Sequence, residues 1–215
     1  MKKSIVIPIK TNNQRLPGKN TMILGDKPLH NHLFDTLRDV KEIDIYVDSS
    51  DENILDISES YGFKTIKRPT RLNGPDTSGN DLIEHALEKI ECDLFGQFFV
   101  TTPFLKKETI LKSFDIFNHF NVTSCFGVYP VHDRFWYNGE PVNHNFKSLV
   151  GTQYMEPLMR ESGFYVFKKE AFLKQRSRIT ENFKTFVVDE NECIDIDTRE
   201  DFIYAESIYK SGVLK

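Results

Sequence analysis

The segment Ser4-Ile5-Val6-Ile7-Pro8-Ile9 is apolar at almost every position instead of every second one. A strand with one solvated face alternates, whereas a strand covered on both faces does not. A chain containing such a strand needs apolar layers above and below its sheet, and the residues that follow supply them. Leu33, Leu37 and Val40 have helical spacing within 29–40. A strand is expected at 43–47, a helix at 51–61 stopped by Gly62, and a third strand at 63–67. After a Pro/Gly/Asn-rich loop at 69–75 come a helix at about 80–90, a strand at 94–100 and a helix at 107–120. Strands alternating with helices at this range imply crossover connections. The expected class is α/β, a mainly parallel sheet flanked by helices.

The alternation breaks at Val122. Residues 122–159 are rich in aromatics, Asn, His and Gly, and Asn138-Gly139 has the chemistry of a tight hairpin turn. This stretch reads as an insertion between a main α/β domain made of 1–121 and 160–215. In the second part a strand is expected at 162–167, a short helix near 169–173, a small strand at 185–188, an extended piece at 194–197 and a last helix at 199–209.

Charge and cysteine content narrow the function. Lys and Arg number 28 against 32 Asp and Glu, a net charge of −4. That excludes a broad nucleic-acid footprint but leaves room for a local basic pocket. Cys92, Cys125 and Cys193 show neither metal spacing nor a disulfide pattern, which suits a reducing cytoplasm. Met1-Lys2-Lys3 has the shape of a signal n-region, yet the apolar run ends at Lys10, short of the ~7 residues a signal core needs. No stretch approaches the ~18 apolar residues of a membrane span. Neither export nor membrane insertion is expected.

Three groups of residues can do chemistry. The loop Lys10-Thr11-Asn12-Asn13-Gln14-Arg15-Leu16-Pro17-Gly18-Lys19-Asn20 follows the first strand, where open α/β sheets bind ligands. It offers three cations and backbone donors at Asn12, Asn13 and Gly18, as phosphate groups require. It lacks the glycines and hydroxyl of a Walker loop, and a solvated basic loop is the plainer reading. In Ile194-Asp195-Ile196-Asp197-Thr198, Asp195 and Asp197 share one side of an extended chain and could hold one magnesium ion. The plainer reading there is a helix cap by Asp197 or Thr198 with Asp201 in the first turn. Arg68 ends a strand and could bind a base or phosphate, with Asp76, Thr77 and Ser78 facing the same crevice; capping by Thr77 or Ser78 is the competing reading. The six histidines form no zinc module, and no Gly-x-Ser-x-Gly elbow occurs.

Taken together these motifs resemble the acylneuraminate cytidylyltransferase (CMP-sialic acid synthetase) family. Leu16-Pro17-Gly18-Lys19-Asn20 matches its opening signature, and Arg68-Pro69 with Leu72 and Asp76-Thr77 its second segment. Gly163-Phe164-Tyr165-Val166-Phe167 resembles its late strand and Ile194-Asp195-Ile196-Asp197-Thr198 with Asp201 its ending, in order over nearly the whole chain. The resemblance implies a Rossmann-like fold of the nucleotide-diphospho-sugar transferase type. It implies transfer of CMP from CTP to an acidic sugar, release of pyrophosphate, a magnesium cofactor, a homodimer and a place in surface-glycan precursor synthesis.

By the same resemblance Lys19 would sit at the α-phosphate and Lys10 near the β- and γ-phosphates, with Arg15 assisting. Asn13, Asn20, Arg68, Asp76, Thr77 and Ser78 would line the nucleotide, and Asp195 and Asp197 would hold the metal. Phe99, Thr101, Gln153 and Tyr165 fall on the acceptor side, and 122–159 would dimerise and touch the sugar. Three positions depart from the pattern: Lys10 replaces an arginine, Phe99 the glutamine that meets the sugar, and Gly151 a further arginine. The nucleotide half is kept and the acceptor half changed, so another acidic sugar or a small hydroxy or phosphonate acid is the expected acceptor. A same-fold enzyme using another nucleotide or a sugar phosphate, and a catalytically inactive nucleotide-binding relative, are the alternatives.

Overall fold

β1 (Lys3–Pro8) lies inside the sheet with neighbours on both edges, and its side chains divide between two apolar layers. Ile5 and Ile7 enter one core with Leu33, Phe34, Val47, Phe98, Phe114 and Phe164, while Val6 enters the other with Ile66, Ile83, Phe95, Phe167 and Phe172. Successive side chains of a strand point to opposite faces, so burial on both faces is what an unalternating run requires. The computed structural model describes residues 1–10 and 13–214.

After β1 the chain forms a small ribbon, β2 (Ile23–Leu24) and β3 (Lys27–Pro28), then α1 (Leu29–Leu37), β4 (Asp44–Ser49), α2 (Glu52–Ser60) and β5 (Lys64–Lys67). It continues with α3 (Gly79–Leu87), β6 (Leu94–Phe98), α4 (Lys107–His119) and β7 (Ser124–Val131). A hairpin, β8 (Trp136–Tyr137) and β9 (Glu140–Pro141), precedes β10 (Leu158–Glu161), β11 (Phe164–Lys168), α5 (Lys169–Gln175), β12 (Phe183–Val187) and α6 (Arg199–Ser211). The main sheet has the order β10-β7-β11-β6-β1-β4-β5, and β12 also pairs with β7, off this path. β1 is parallel to β4 and β6, β4 to β5, and β12 to β7, whereas β11 and β10 run antiparallel to their partners. The order places β4 and β5 to one side of β1 and then returns to its other side with β6. Such a reversal opens a crevice beyond the carboxyl ends of β1 and β6.

Local chemistry sets the helix starts. Asp51 accepts from the Asn53 and Ile54 amides, Ser78 and Asp81 form a reciprocal cap on α3, and Thr198 and Asp201 do the same on α6. Each satisfies amides that would otherwise lack partners, worth about 1 kcal/mol per cap. β6 stops at Phe98, short of the expected 100, because the chain turns there, with the Thr102 amide donating to the Phe99 carbonyl.

The expected insertion at 122–159 is revised. β7 is a full sheet strand with Ser124 to Val128 buried, and β10 extends the sheet beside it. A side chain at Gly127 would meet Val188 at 2.8 Å and Phe164 at 3.0 Å, so the glycine serves close packing and not a turn. The excursion from the sheet is 132–157. Its hairpin does turn at Asn138 (φ 50°) and Gly139 (φ 84°), both in the left-handed region that such turns need. Among the described residues, no helix is long and apolar enough to cross a membrane.

Candidate active site

The crevice holds about 340 Å³ and takes the residues expected from the sequence from four places. The loop after β1 brings Lys10, Asn13, Arg15, Lys19 and Asn20; the turn after β6 brings Phe99 and Thr101; β11 brings Tyr165; and the segment before α6 brings Asp195 and Asp197. A second recess of about 300 Å³ adjoins it, sharing Lys10, Asn13, Arg15 and Lys19 and closed opposite by Asn73, Gly74 and Pro75.

Lys19 is the pivot. Gly18 takes φ 70°, which glycine adopts without strain, and the turn it makes directs Lys19 inward. Lys19 is buried, and its Nζ donates to the Ile196 carbonyl at 2.7 Å and to Asp197 Oδ1 at 2.7 Å. Arg15 meets the same oxygen at 2.6 Å from a more exposed position. Asn20 ties the loop's two ends together, its Nδ2 donating to the Lys10 carbonyl at 2.6 Å. The Oδ1 atoms of Asn13 and Asn20 are buried with no hydrogen-bond partner among the described residues. Buried acceptors left this way favour a ligand that brings donors.

The acidic side is held just as firmly. The Ile196 amide donates to the Thr101 carbonyl at 2.8 Å, fixing the Asp-x-Asp segment to the turn after β6. Capping of α6 is done by Thr198 and Asp201, whose carboxylate also takes the Asp197 amide at 3.1 Å. The carboxylates of Asp195 and Asp197 are thereby left to the crevice. Asp195 opens on to the crevice but has protein around it elsewhere, and this loss of water is the main cause that raises its carboxyl above the ordinary range. The Asp197 charge adds to the rise, while a Thr101 hydrogen bond and the Lys19 and Arg15 charges oppose it. Two carboxylates with no sulfur or imidazole beside them make a hard-oxygen donor set, which suits magnesium completed by water and phosphate. Gly163 packs beneath: a side chain there would lie 2.8 Å from the Thr102 methyl and 3.7 Å from Asp195 Oδ2.

Several expected residues lie elsewhere. Arg68 does not reach the crevice. It is buried against Asp48, with Nη2 donating to Asp48 Oδ2 at 3.0 Å and to its carbonyl at 2.7 Å, because the strand end it occupies faces a neighbouring strand and not the opening. Asp76, Thr77 and Ser78 do not line either recess; Ser78 is engaged in capping α3, and the adjacent Asn73 to Pro75 take the lining position. Gln153 sits in a short turn of the excursion, outside the crevice, and no described residue of 132–157 lines it. Asn12 falls outside the described residues. Arg178 and Leu82 line the crevice although no motif pointed to them. Nothing local in Arg176-Ser177-Arg178 separates it from a solvated basic loop.

A cytidylyltransferase family model matches residues 4–211, nearly the full chain. The chain belongs to the cytidylyltransferase family. This cytidylyltransferase is 24% identical to the pseudaminic acid cytidylyltransferase of Campylobacter jejuni subsp. jejuni serotype O:2, over 98% of this chain and 97% of that one. It is also 24% identical to the N-acylneuraminate cytidylyltransferase of Streptococcus agalactiae serotype V over 95% of its own length, but spans only 52% of that relative. The fold superposes on the solved structure of CMP:2-keto-3-deoxy-manno-octonic acid synthetase complexed with CTP with a TM-score of 0.75, at 16% identity, over 99% of this chain and 100% of the other.

Proposed function

We propose that this enzyme transfers CMP from CTP to the hydroxyl of an acidic sugar or a related small acidic acceptor, releasing pyrophosphate, in the synthesis of surface-glycan precursors. The observation that carries the reading is the meeting of Lys10, Arg15 and Lys19 with Asp195 and Asp197 in one crevice, Asp197 paired to Lys19 and Arg15. In this reading the triphosphate lies along the loop after β1 and the nucleoside occupies the recess closed by Asn73, Gly74 and Pro75. The acceptor hydroxyl oxygen attacks the α-phosphorus as its proton passes to solvent, the bond from that phosphorus to the bridging oxygen breaks, and pyrophosphate leaves. Lys19 meets the charge that builds on the α-phosphate, and Lys10 and Arg15 that of the leaving group. Placing and charge neutralisation do most of the work in such transfers. Asp195 and Asp197 would hold magnesium, which polarises the phosphate when bound.

A panel of CTP, UTP, GTP and ATP with magnesium tests the nucleotide. CTP at a hundred times its Kd should stabilise the chain by about 2.7 kcal/mol, or roughly 5–10 °C for this size, with smaller shifts from the others. A larger shift with another nucleotide would transfer the reading to a different nucleotidyltransferase. A CTP shift without pyrophosphate release from any sugar acid would favour an inactive relative.

The excursion 132–157 and the strand after it expose Trp136, Tyr137, Phe146, Leu149, Val150, Tyr154 and Met159. A concentration of apolar surface on one segment marks an association surface, and supports a homodimer. Sedimentation should give twice the 25.1 kDa chain mass, reduced to one chain by Tyr154→Glu combined with Trp136→Glu. A single-chain mass in the unaltered protein would sink the dimer. Three free, buried cysteines support a reducing, cytoplasmic setting.

A further inference from the structure

Arg178 lines the crevice from the connection between α5 and β12, on the β11 side of β6, while Lys10, Arg15 and Lys19 enter from the β1 side. The strands β1 and β11 flank β6, two strand spacings or about 10 Å apart. The guanidinium is held in place by neutral groups. Its Nη1 donates to Gln97 Oε1 at 3.0 Å, and its carbon lies 4.3 Å above the centre of the Tyr165 ring. Gln97 is almost fully buried within β6 and pairs in register with Tyr165, so both supports belong to the rigid sheet. The other arginines near the site have acids: Arg15 has Asp197, Arg68 has Asp48 and Arg176 has Glu84. Arg178 is in no ion pair among the described residues.

A guanidinium has five N–H donors in a planar fork, of which the fold uses one. Such a fork, pre-positioned on an aromatic face and set in a crevice, matches a carboxylate in two parallel hydrogen bonds. Tyr165, beneath the guanidinium, lines the same crevice as Asp195, so the free fork shares the cavity of the proposed reaction centre, while the phosphate-loop cations enter from the β1 side.

We infer that Arg178, seated on Tyr165 and Gln97, receives the carboxylate of the acceptor and is the residue by which the enzyme selects acids. The inference rests on the acidic-acceptor reading above and names the group that enforces it. Phe99, which lines the same crevice, then contacts the apolar side of the acceptor.

The test uses the full chain with CTP and magnesium, reading pyrophosphate release. The acceptors are 2-keto-3-deoxy-manno-octonic, N-acetylneuraminic and pseudaminic acids, each paired with its methyl ester. The unaltered enzyme should prefer an acid over its ester about 10- to 100-fold in kcat/KM, the range a charge-assisted hydrogen bond supplies. Arg178→Gln should bring that ratio close to one by raising the KM for the acid, with the KM and thermal shift for CTP unchanged. Arg178→Lys, which keeps the charge and loses the fork, should fall between. A wild-type acid-to-ester ratio in Arg178→Gln overturns the inference, as does a parallel rise in the KM for CTP, which would assign the cation to the triphosphate. A normal CTP shift with no turnover of any acid by the unaltered enzyme overturns the acidic-acceptor reading, and this inference with it.

Discussion

Asp48→Ala should destabilise the folded chain by about 3–5 kcal/mol, whereas Arg68→Met should cost less at neutral pH and least in acid. Both side chains are fully buried, and Arg68 reaches Asp48 through Nε and Nη2 while its Nη1 has no partner among the described residues. A buried pair contributes little net stability, since desolvation of two ions offsets their attraction, but removing one member leaves the other unsatisfied. The two members differ in what they can then do. A guanidinium keeps its proton, so Asp48→Ala strands a fixed charge. A lone carboxyl can take up a proton and become neutral.

Burial already raises the Asp48 carboxyl above its ordinary value, against the opposing pull of Arg68 and His85. A carboxyl raised by folding favours the folded state below its unfolded value and loses that contribution as pH rises through the folded one. Without Arg68 the rise is greater, so the deficit of Arg68→Met shrinks as pH falls. Thermal melts at pH 7.5 and pH 5 check this, with Asp48→Ala lowering Tm by roughly 6–20 °C at both. Equal losses that ignore pH would refute the account.

Lys19→Met should lower pyrophosphate release about 100- to 1000-fold, the usual effect of deleting one preorganised donor at a developing charge. Methionine fills the space of the lysine stem but cannot donate to Asp197 or to the Ile196 carbonyl. Stability should fall by only about 1–3 kcal/mol, because one carbonyl loses its donor while Asp197 keeps Arg15. Arg15→Gln, at a more exposed pair, should change stability by no more than about 1 kcal/mol. The comparison of rate with melting temperature separates a chemical role for Lys19 from a structural one. Near-normal turnover in Lys19→Met would remove it from the reaction.

The Asp-x-Asp segment shows what local sequence does and does not reveal. Its two readings, helix cap or cation site, were both open because spacing alone allows either. In the structure Thr198 and Asp201 satisfy the helix, and Asp195 and Asp197 turn to the crevice. Arg68 shows the reverse case. Its position at a strand end suggested a ligand contact, but the partner that claims it is Asp48 on the next strand, 20 residues away. The boundary at Val122 was misplaced for a related reason, since the partners that bury β7 lie in β10, β11 and β12.

By itself the sequence determined the α/β class, the two-sided burial of β1 and the placing of the Lys10–Asn20 loop beyond a strand end. Each of these depends on the period of apolar residues or on bonds within a few positions, where neighbours in the chain are neighbours in space. Only the tertiary structure decided that Lys19 would pair with Asp197, 178 residues later, that Arg68 would be sealed beneath the surface, and that Arg178 would arrive in the crevice on Gln97 and Tyr165. Those outcomes follow from strand order and burial. Both come from the whole sheet closing at once, and no short stretch of sequence contains them.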